Sequence, residues 1–200
     1  MKIRLIGDIH GKYKQYKDIA AEVGNSLQLG DFGFSYPQDL NPENHKFFGG
    51  NHEAYNIIQD MPNALGDFGE VWGMFYIRGG LSIDRKFRTA GFDWFPEEEL
   101  NWQQMDECEQ LYSEIKPDIV VSHECPLRVI PNFTSFTDSQ IIQRFGCKLP
   151  SRTSVFLNNL YEIHQPKSWY FGHYHLDKTI TEGYTEFTCL GELSYKDIEI

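Results

Sequence analysis

Apolar and polar positions along this chain fall into short runs, each closed by a glycine or proline. Residues 2–6 read as a strand that ends at Gly7. Over residues 12–23, Tyr16, Ile19, Ala20 and Val23 share one helical stripe, and Gly24 ends it. Residues 26–29 predict a second strand, stopped by Gly30. Residues 32–50 hold Pro37, Pro42 and several Asn and Gly, and read as loop. A short helix over 53–60 is closed by Pro62, and strand-like stretches follow at 71–72 and 74–77 before a turn at Gly79 and Gly80. The clearest helix spans 96–116. Pro96 suits its first turn, Glu97, Glu98 and Glu99 suit its positive end, and Pro117 stops it. Residues 118–122 (DIVVS) predict a buried strand, residues 154–164 a helix and residues 168–171 a strand. From Lys178 onward the pattern predicts strands joined at Gly183 and Gly191. This order predicts an α/β sandwich with mixed sheets rather than a doubly wound parallel sheet.

Composition narrows the class. The chain has 200 residues, no internal repeat and no low-complexity linker, so one domain over residues 1–200 is expected. Apolar residues at 40% and aromatics at 15% exclude a disordered chain. No apolar run reaches the ~18–20 residues of a membrane span. The opening MKIRLIGDIHG is too short in apolar residues for a signal-peptide core. The four cysteines are scattered with no CxxC pair, which predicts reduced thiols and a cytoplasmic protein. The net charge of −11 argues against a long nucleic acid lying across the surface.

The chemistry gathers where the elements end. The first strand is followed by Gly7-Asp8-Ile9-His10-Gly11 and the second by Gly30-Asp31. A loop delivers Gly50-Asn51-His52-Glu53, the DIVVS strand ends in His123, and the 168–171 strand ends in Gly172-His173-Tyr174-His175. Five of the seven histidines fall in these segments, leaving His45 and His164 outside them. A single His after a strand is usually an ordinary polar residue. Turn chemistry does not account for Asp-x-His and His-x-His in one chain. In extended backbone each such pair would point to one side, because the strand period is two, and Tyr174 would point away. Carboxylate, amide and imidazole donors suit Mn²⁺, Fe²⁺, Co²⁺, Ni²⁺ or Zn²⁺ better than Ca²⁺ or Mg²⁺. These donors are too many for one four-coordinate ion. They fit two ions ~3.5–4 Å apart, the usual clamp for attack at phosphorus. Cys125, two residues past His123, is a candidate soft ligand, but a buried free thiol is the better reading.

The ordered set GDIHG, GD, GNHE, SH and GHYH resembles the calcineurin-like metallophosphoesterases over residues 7–175. The resemblance implies a four-layer fold, two mixed sheets between helices, with metals at the strand ends. It implies that Asp8, His10 and His175 hold one metal, that Asn51, His123 and His173 hold the other, and that Asp31 bridges them. It further implies hydrolysis of a phosphoric ester by a metal-bound hydroxide, with two divalent ions, manganese foremost. His52 would then stabilise charge or protonate the leaving oxygen.

Departures from the wider superfamily refine this. Where the resembling phosphoprotein phosphatases carry GDxxDRG, this chain reads GDFGFS, with Phe34 at the Asp position and Ser35 at the Arg position. That leans the reading from serine/threonine-type phosphatases toward a diesterase among small bacterial or phage phosphoesterases. Purple acid phosphatases need a Tyr at the Phe34 position, and lariat debranching enzymes have Cys where Asp8 stands. A nuclease and a catalytically silent scaffold remain as alternatives, although the chain keeps all eight key positions. Arg85 and Arg88 are candidate phosphate-binding forks, with Arg78 and Arg128 behind them.

Two aromatic groups could stack on a leaving group or simply fill the core. One is Phe32, Phe34 and Tyr36; the other is Trp72, Phe75, Tyr76, Phe87, Phe92, Trp94 and Phe95. Two divalent ions would bring the net charge from −11 to about −7, with the positive charge concentrated at the site. The expected partner is therefore a small phosphate ester or a single exposed phosphate group. The loops at 32–49, 61–95 and 124–150 are expected to choose it.

Overall fold

The computed structural model describes residues 1–35 and 39–200. Tyr36 and Pro37 lie outside the described residues. In chain order the elements are β1 (Lys2–Ile6), α1 (Tyr13–Ala21), β2 (Ser26–Gln28), β3 (His45–Phe47), α2 (Tyr55–Ile58), β4 (Phe68–Val71) and β5 (Met74–Ile77). They continue as α3 (Trp102–Ile115), β6 (Ile119–Ser122), α4 (Asp138–Phe145), α5 (Arg152–Ile163), β7 (Ser168–Phe171), β8 (Lys178–Glu182), β9 (Thr185–Cys189) and β10 (Tyr195–Glu199). The strands form a four-stranded sheet, β10-β1-β2-β3, and a six-stranded sheet, β4-β5-β6-β7-β9-β8. Both are mixed. β1, β2 and β3 run parallel with β10 antiparallel, while β5, β6, β7 and β9 run parallel with β4 and β8 antiparallel at the edges.

Apolar residues on both faces of the strands explain the layering. Ile3 and Leu5 of β1, Leu27 of β2, Met74 and Tyr76 of β5, Val121 of β6 and Tyr170 of β7 meet between the two sheets. On the outside of the small sheet, Ile6 and Phe47 pack with Tyr16 and Ala20 of α1 and Ile58 of α2. On the outside of the large sheet, Phe75, Val120, Trp169 and Phe171 pack against Met105, Cys108 and Tyr112 of α3 and Leu157 and Leu160 of α5. The Val, Leu, Ile, Phe and Met side chains among them each contribute roughly 1.5–3 kcal/mol when fully buried. Three apolar layers thus hold four structural ones: helices, sheet, sheet, helices. The expected four-layer sandwich of two mixed sheets is the observed fold. Among the described residues, no helix is long and apolar enough to cross a membrane.

Register decides where the site forms. Ile6, Gln28 and Phe47 lie side by side at the ends of β1, β2 and β3. Ile77, Ser122, Phe171 and Cys189 do the same in the other sheet. The segments that follow these parallel strands therefore emerge together along one edge of the sandwich.

Several sequence expectations need correction. The helix expected over 96–116 is broken. Residues Pro96–Glu98 form one 3-10 turn, and α3 starts only at Trp102. The Glu97 carbonyl accepts from Arg78 Nη1 at 2.6 Å and the Glu98 carbonyl from Gly80 N at 3.1 Å, so the acceptors a continuous helix needs are taken. Asn101 and Gln104 then cap the new start with reciprocal bonds. The loop expected over 32–50 contains β3, whose three residues are too few for a visible period. Strand β4 begins at Phe68, and the hairpin turns at Trp72 and Gly73, both at positive φ. Helix α4 lies in a stretch that carried no predicted element. Its signals are present in the sequence: Thr137 and Gln140 form a capping box and Gly146 closes it in a left-handed conformation.

Candidate metal centre and active site

The five polar segments converge at the edge where the parallel strands end. Asp8, after β1, is fully buried, and both of its oxygens accept from the His173 backbone N–H, at 3.1 and 3.2 Å. His175 Nε2 lies 3.1 Å from Asp8 Oδ2, and His10 Nε2 lies 3.8 Å from it. The two imidazole nitrogens face each other at 2.9 Å. One donor atom each from Asp8, His10, Asp31 and His175 lies within 4.8 Å of the others.

A second group of donors sits beside the first. Asn51 Oδ1 lies 3.0 Å from His123 Nε2 and 2.8 Å from His173 Nδ1. Asp31 joins the two groups: its Oδ1 is 3.2 Å from His123 Nε2, and its Oδ2 is 3.7 Å from His10 Nε2. All seven expected ligands thus lie in one place. Carboxylate, amide and imidazole groups aimed at one another across so small a space fit a divalent cation or a pair of them.

Neighbours fix the orientation of these donors. His123 Nδ1 meets the Leu29 carbonyl at 2.9 Å, and a carbonyl only accepts, so Nδ1 carries a proton and Nε2 is the nitrogen turned to the site. Asn51 Nδ2 donates to Ser82 Oγ at 3.2 Å, which turns Oδ1 inward. Ser82 N in turn donates to Glu98. Buried Glu53 accepts from Phe32 N at 2.7 Å and Gly50 N at 3.3 Å, tying the second segment to the third. Buried Gln28 donates to the carbonyls of Gly7 and Gly30 and ties the first to the second. Sequence reading passed over Gln28 and Ser82 and took Glu98 for a helix-end charge rather than a support of the site.

Backbone strain gathers here as well. His10, Asp31, His173 and His175 have φ of 43°, 57°, 69° and 53°, a region that non-glycine residues seldom occupy. This overturns the extended geometry expected for Asp-x-His and His-x-His. His173 and His175 leave left-handed turns toward different donor groups, rather than pointing together off a strand. Tyr174 does turn away, packing against Phe133 and Phe171. Glycine is required where the backbone passes under the carboxylates. A Cβ at Gly172 would overlap Asp8 Oδ1, and one at Gly50 would overlap Asp31 Oδ1.

Electrostatics follow from this crowding. Burial opposes ionisation of Asp31, but His123, His52 and His10 outweigh it and hold the carboxyl well below its usual range. Burial also opposes charge on His123, and Asp31 outweighs it. Burial, assisted by His123, holds His173 neutral. His52 is likewise lowered by burial, with Arg88 adding to the effect against the pull of Asp31.

His52 stands at the rim. Its backbone N–H donates to Asp31 Oδ1 at 2.8 Å, and its ring Nε2 lies 4.0 Å from Asp31 Oδ2. Arg88 Nη2 lies 3.1 Å from the same ring nitrogen. Arg88 is itself gripped by Asp84, at 2.8 Å through Nε and 2.9 Å through Nη2. Arginine has no lone pair, so His52 Nε2 accepts this bond. Arg85 lines a second pocket with Trp102 and Arg152 instead. Arg78 is buried against Asp67, and Arg128 pairs with Glu162.

Four of the nine expected aromatics among the described residues are buried, while Trp72 and Trp94 are half-buried and Phe34 is exposed. Phe32 stacks on Phe47, and Phe75, Tyr76 and Phe95 are buried. Phe87 and Phe92 are exposed. Cys125 is buried in the apolar layer under the large sheet and unpaired, like the other three cysteines. His45 meets Ser26 at 2.9 Å and His164 meets the Pro117 carbonyl at 3.1 Å, both as structural contacts.

A cavity of about 560 Å³ opens from this centre. Asp31, Asn51, His52, His173 and His175 line one end, and residues of the 124–151 segment line the other.

No family model matches the chain, and no curated protein matches it. Solved structures do. TT1561 of Thermus thermophilus aligns with 96% of this chain and 90% of its own, at 14% identity and a TM-score of 0.51. A predicted phosphoesterase from Streptococcus pneumoniae aligns with all of this chain and 82% of its own, at 16% identity and a TM-score of 0.43. The phosphopantetheinyl hydrolase of Mycobacterium tuberculosis aligns over 96% and 89%, at 13% identity and 0.49. The first of these carries the comparison of folds. With two mixed sheets layered between helices and matched nearly end to end, the chain shares the fold of TT1561, the four-layer arrangement that the sequence resemblance implies.

Proposed function

We propose that the protein is a metal-dependent hydrolase of phosphoric esters. The observation that carries this reading is a pair of donor groups sharing Asp31, with His52 and Arg88 at their rim. In this reading Asp8, His10 and His175 hold one divalent ion, Asn51, His123 and His173 hold a second, and Asp31 belongs to both. Such ions supply Lewis acidity at the phosphoryl oxygens and make water acidic near neutral pH.

The remaining work falls to the chain's own side chains. Hydrolysis breaks the bond from phosphorus to the leaving oxygen, bonds a water oxygen to phosphorus and leaves a proton on the departing alcohol. His52 is the group placed to handle that proton or the developing charge. Arg88 offers a planar fork to a phosphoryl oxygen. A phosphoryl oxygen competes with His52 for the Arg88 donor, and taking it frees the His52 ring nitrogen to act on substrate. Until substrate arrives, the Asp84–Arg88 pair orients His52, a role for which the GDFGFS stretch offers no Asp. A diester is the proposed ester type, because Ser35 stands where the resembling phosphoprotein phosphatases carry Arg.

The test is turnover of p-nitrophenyl phosphate and bis-p-nitrophenyl phosphate, with Mn²⁺ and after chelation. Metal-dependent turnover, faster on the diester, is expected. Metal binding without turnover of either ester would favour the scaffold alternative.

A further inference from the structure

The cavity that opens from the metal centre has two unlike ends. The polar end is the donor cluster already described. The other end is apolar: Leu81, Ile83, Leu127, Ile130, Phe133 and Tyr174 form one side, and Phe136, Ile141 and Phe145 come from α4 and the residue run just before it. Helix α4 is amphipathic by its spacing, yet none of its residues is buried. Its apolar stripe is turned to the cavity rather than to a packed core. Apolar surface left facing an open cavity gains nothing until a ligand covers it.

Charge narrows the occupant. The cavity wall carries Asp84, Glu124 and Asp138 and, among the described residues, no lysine or arginine. Asp84 is already paired with Arg88, and burial pushes Glu124 up to about 8, so away from the donor cluster and Arg88 a second phosphate or an extended nucleic acid would find no cationic side chain on this wall. At about 560 Å³ the cavity is the size of ordinary small-molecule sites. Because one continuous space joins the apolar end to His52 and Asp31, whatever fills it belongs to the molecule whose phosphorus sits at the donors.

We propose that the substrate is a phosphate ester whose organic group is apolar and uncharged, seated between α4 and the Leu127–Phe133 segment. This rests on the phosphoesterase reading, and the test separates the two. Methylphosphonate and naphthylmethylphosphonate are titrated calorimetrically into Mn²⁺-supplemented protein. In parallel, 2-naphthol is titrated by fluorescence into protein without added metal. Two variants are compared, Ile141→Glu and the more exposed Phe136→Ser, so that misfolding of one does not spoil the comparison.

The naphthyl phosphonate should bind about tenfold tighter than the methyl one or better, and both variants should erase most of that ratio while weakening 2-naphthol binding. Equal affinity of the two phosphonates, or equal 2-naphthol binding by wild type and both variants, overturns the inference. Failure of either phosphonate to bind, with 2-naphthol still bound and lost in the variants, counts against the phosphoester reading and leaves the apolar seat standing.

Discussion

The two walls of the cavity are built by opposite means. The donor wall hangs from the ends of parallel strands, its carboxylates are buried, and its ligands are pinned by backbone donors, glycine clearances and left-handed turns. The α4 wall is a short helix without a buried residue, capped at both ends but facing the cavity with its apolar stripe. The difference teaches a division of labour. Reaction chemistry is fixed where the fold is stiffest. On the proposed reading, the choice of organic group would lie with a segment whose helix buries none of its residues.

The sharpest way to break this division is at the shared carboxylate. Asp31→Asn should lower turnover of bis-p-nitrophenyl phosphate by about 10³-fold or more, because it weakens both donor groups at once. Steady-state kinetics at saturating Mn²⁺ measure it, and a loss under tenfold would sink the bridging role. His52→Ala comes next. Turnover should fall by about 10²–10³-fold while Mn²⁺ content by elemental analysis stays at the wild-type level. Metal loss in that variant would make His52 a ligand instead.

Gly172→Ala probes stiffness directly. A Cβ there meets Asp8 Oδ1, so about 1–3 kcal/mol of stability should be lost together with metal affinity, read by denaturant unfolding and Mn²⁺ titration. Asp84→Asn is milder, at about tenfold in turnover, with a shifted pH profile as the sign that it acts through Arg88 and His52. At the other wall, Ile142→Ser lies on the exposed side of α4 and should change stability by less than about 0.5 kcal/mol. A large loss there would mean that α4 is part of the packed core after all.

The donor wall was legible in the sequence because all its donors but His123 sit in compact strings that contain a glycine, as in GNHE and GHYH. How those strings bend was not. A left-handed turn at His173 or His175 is imposed by packing against Asp8, which is far away in sequence. The supports Gln28, Ser82 and Glu98 stayed hidden for the same reason: a lone Gln, Ser or Glu acquires its role only from what the fold brings to it. Helix α4 had readable caps, but a run of eight residues between turn-like segments gives a weak period. The long helix expected over 96–116 failed because Arg78 and Gly80 claim its first carbonyls. Local propensity yielded there to the sheet edge that carries the site.

The central claim is that the two donor groups hold metal together through Asp31. Calorimetric titration of metal-stripped protein with Mn²⁺ tests it most directly. The account predicts two ions bound per chain in the wild type and a marked weakening of both in Asp31→Asn. Wild-type protein that takes up no Mn²⁺, or an Asp31→Asn variant that binds both ions as tightly as wild type, would contradict it.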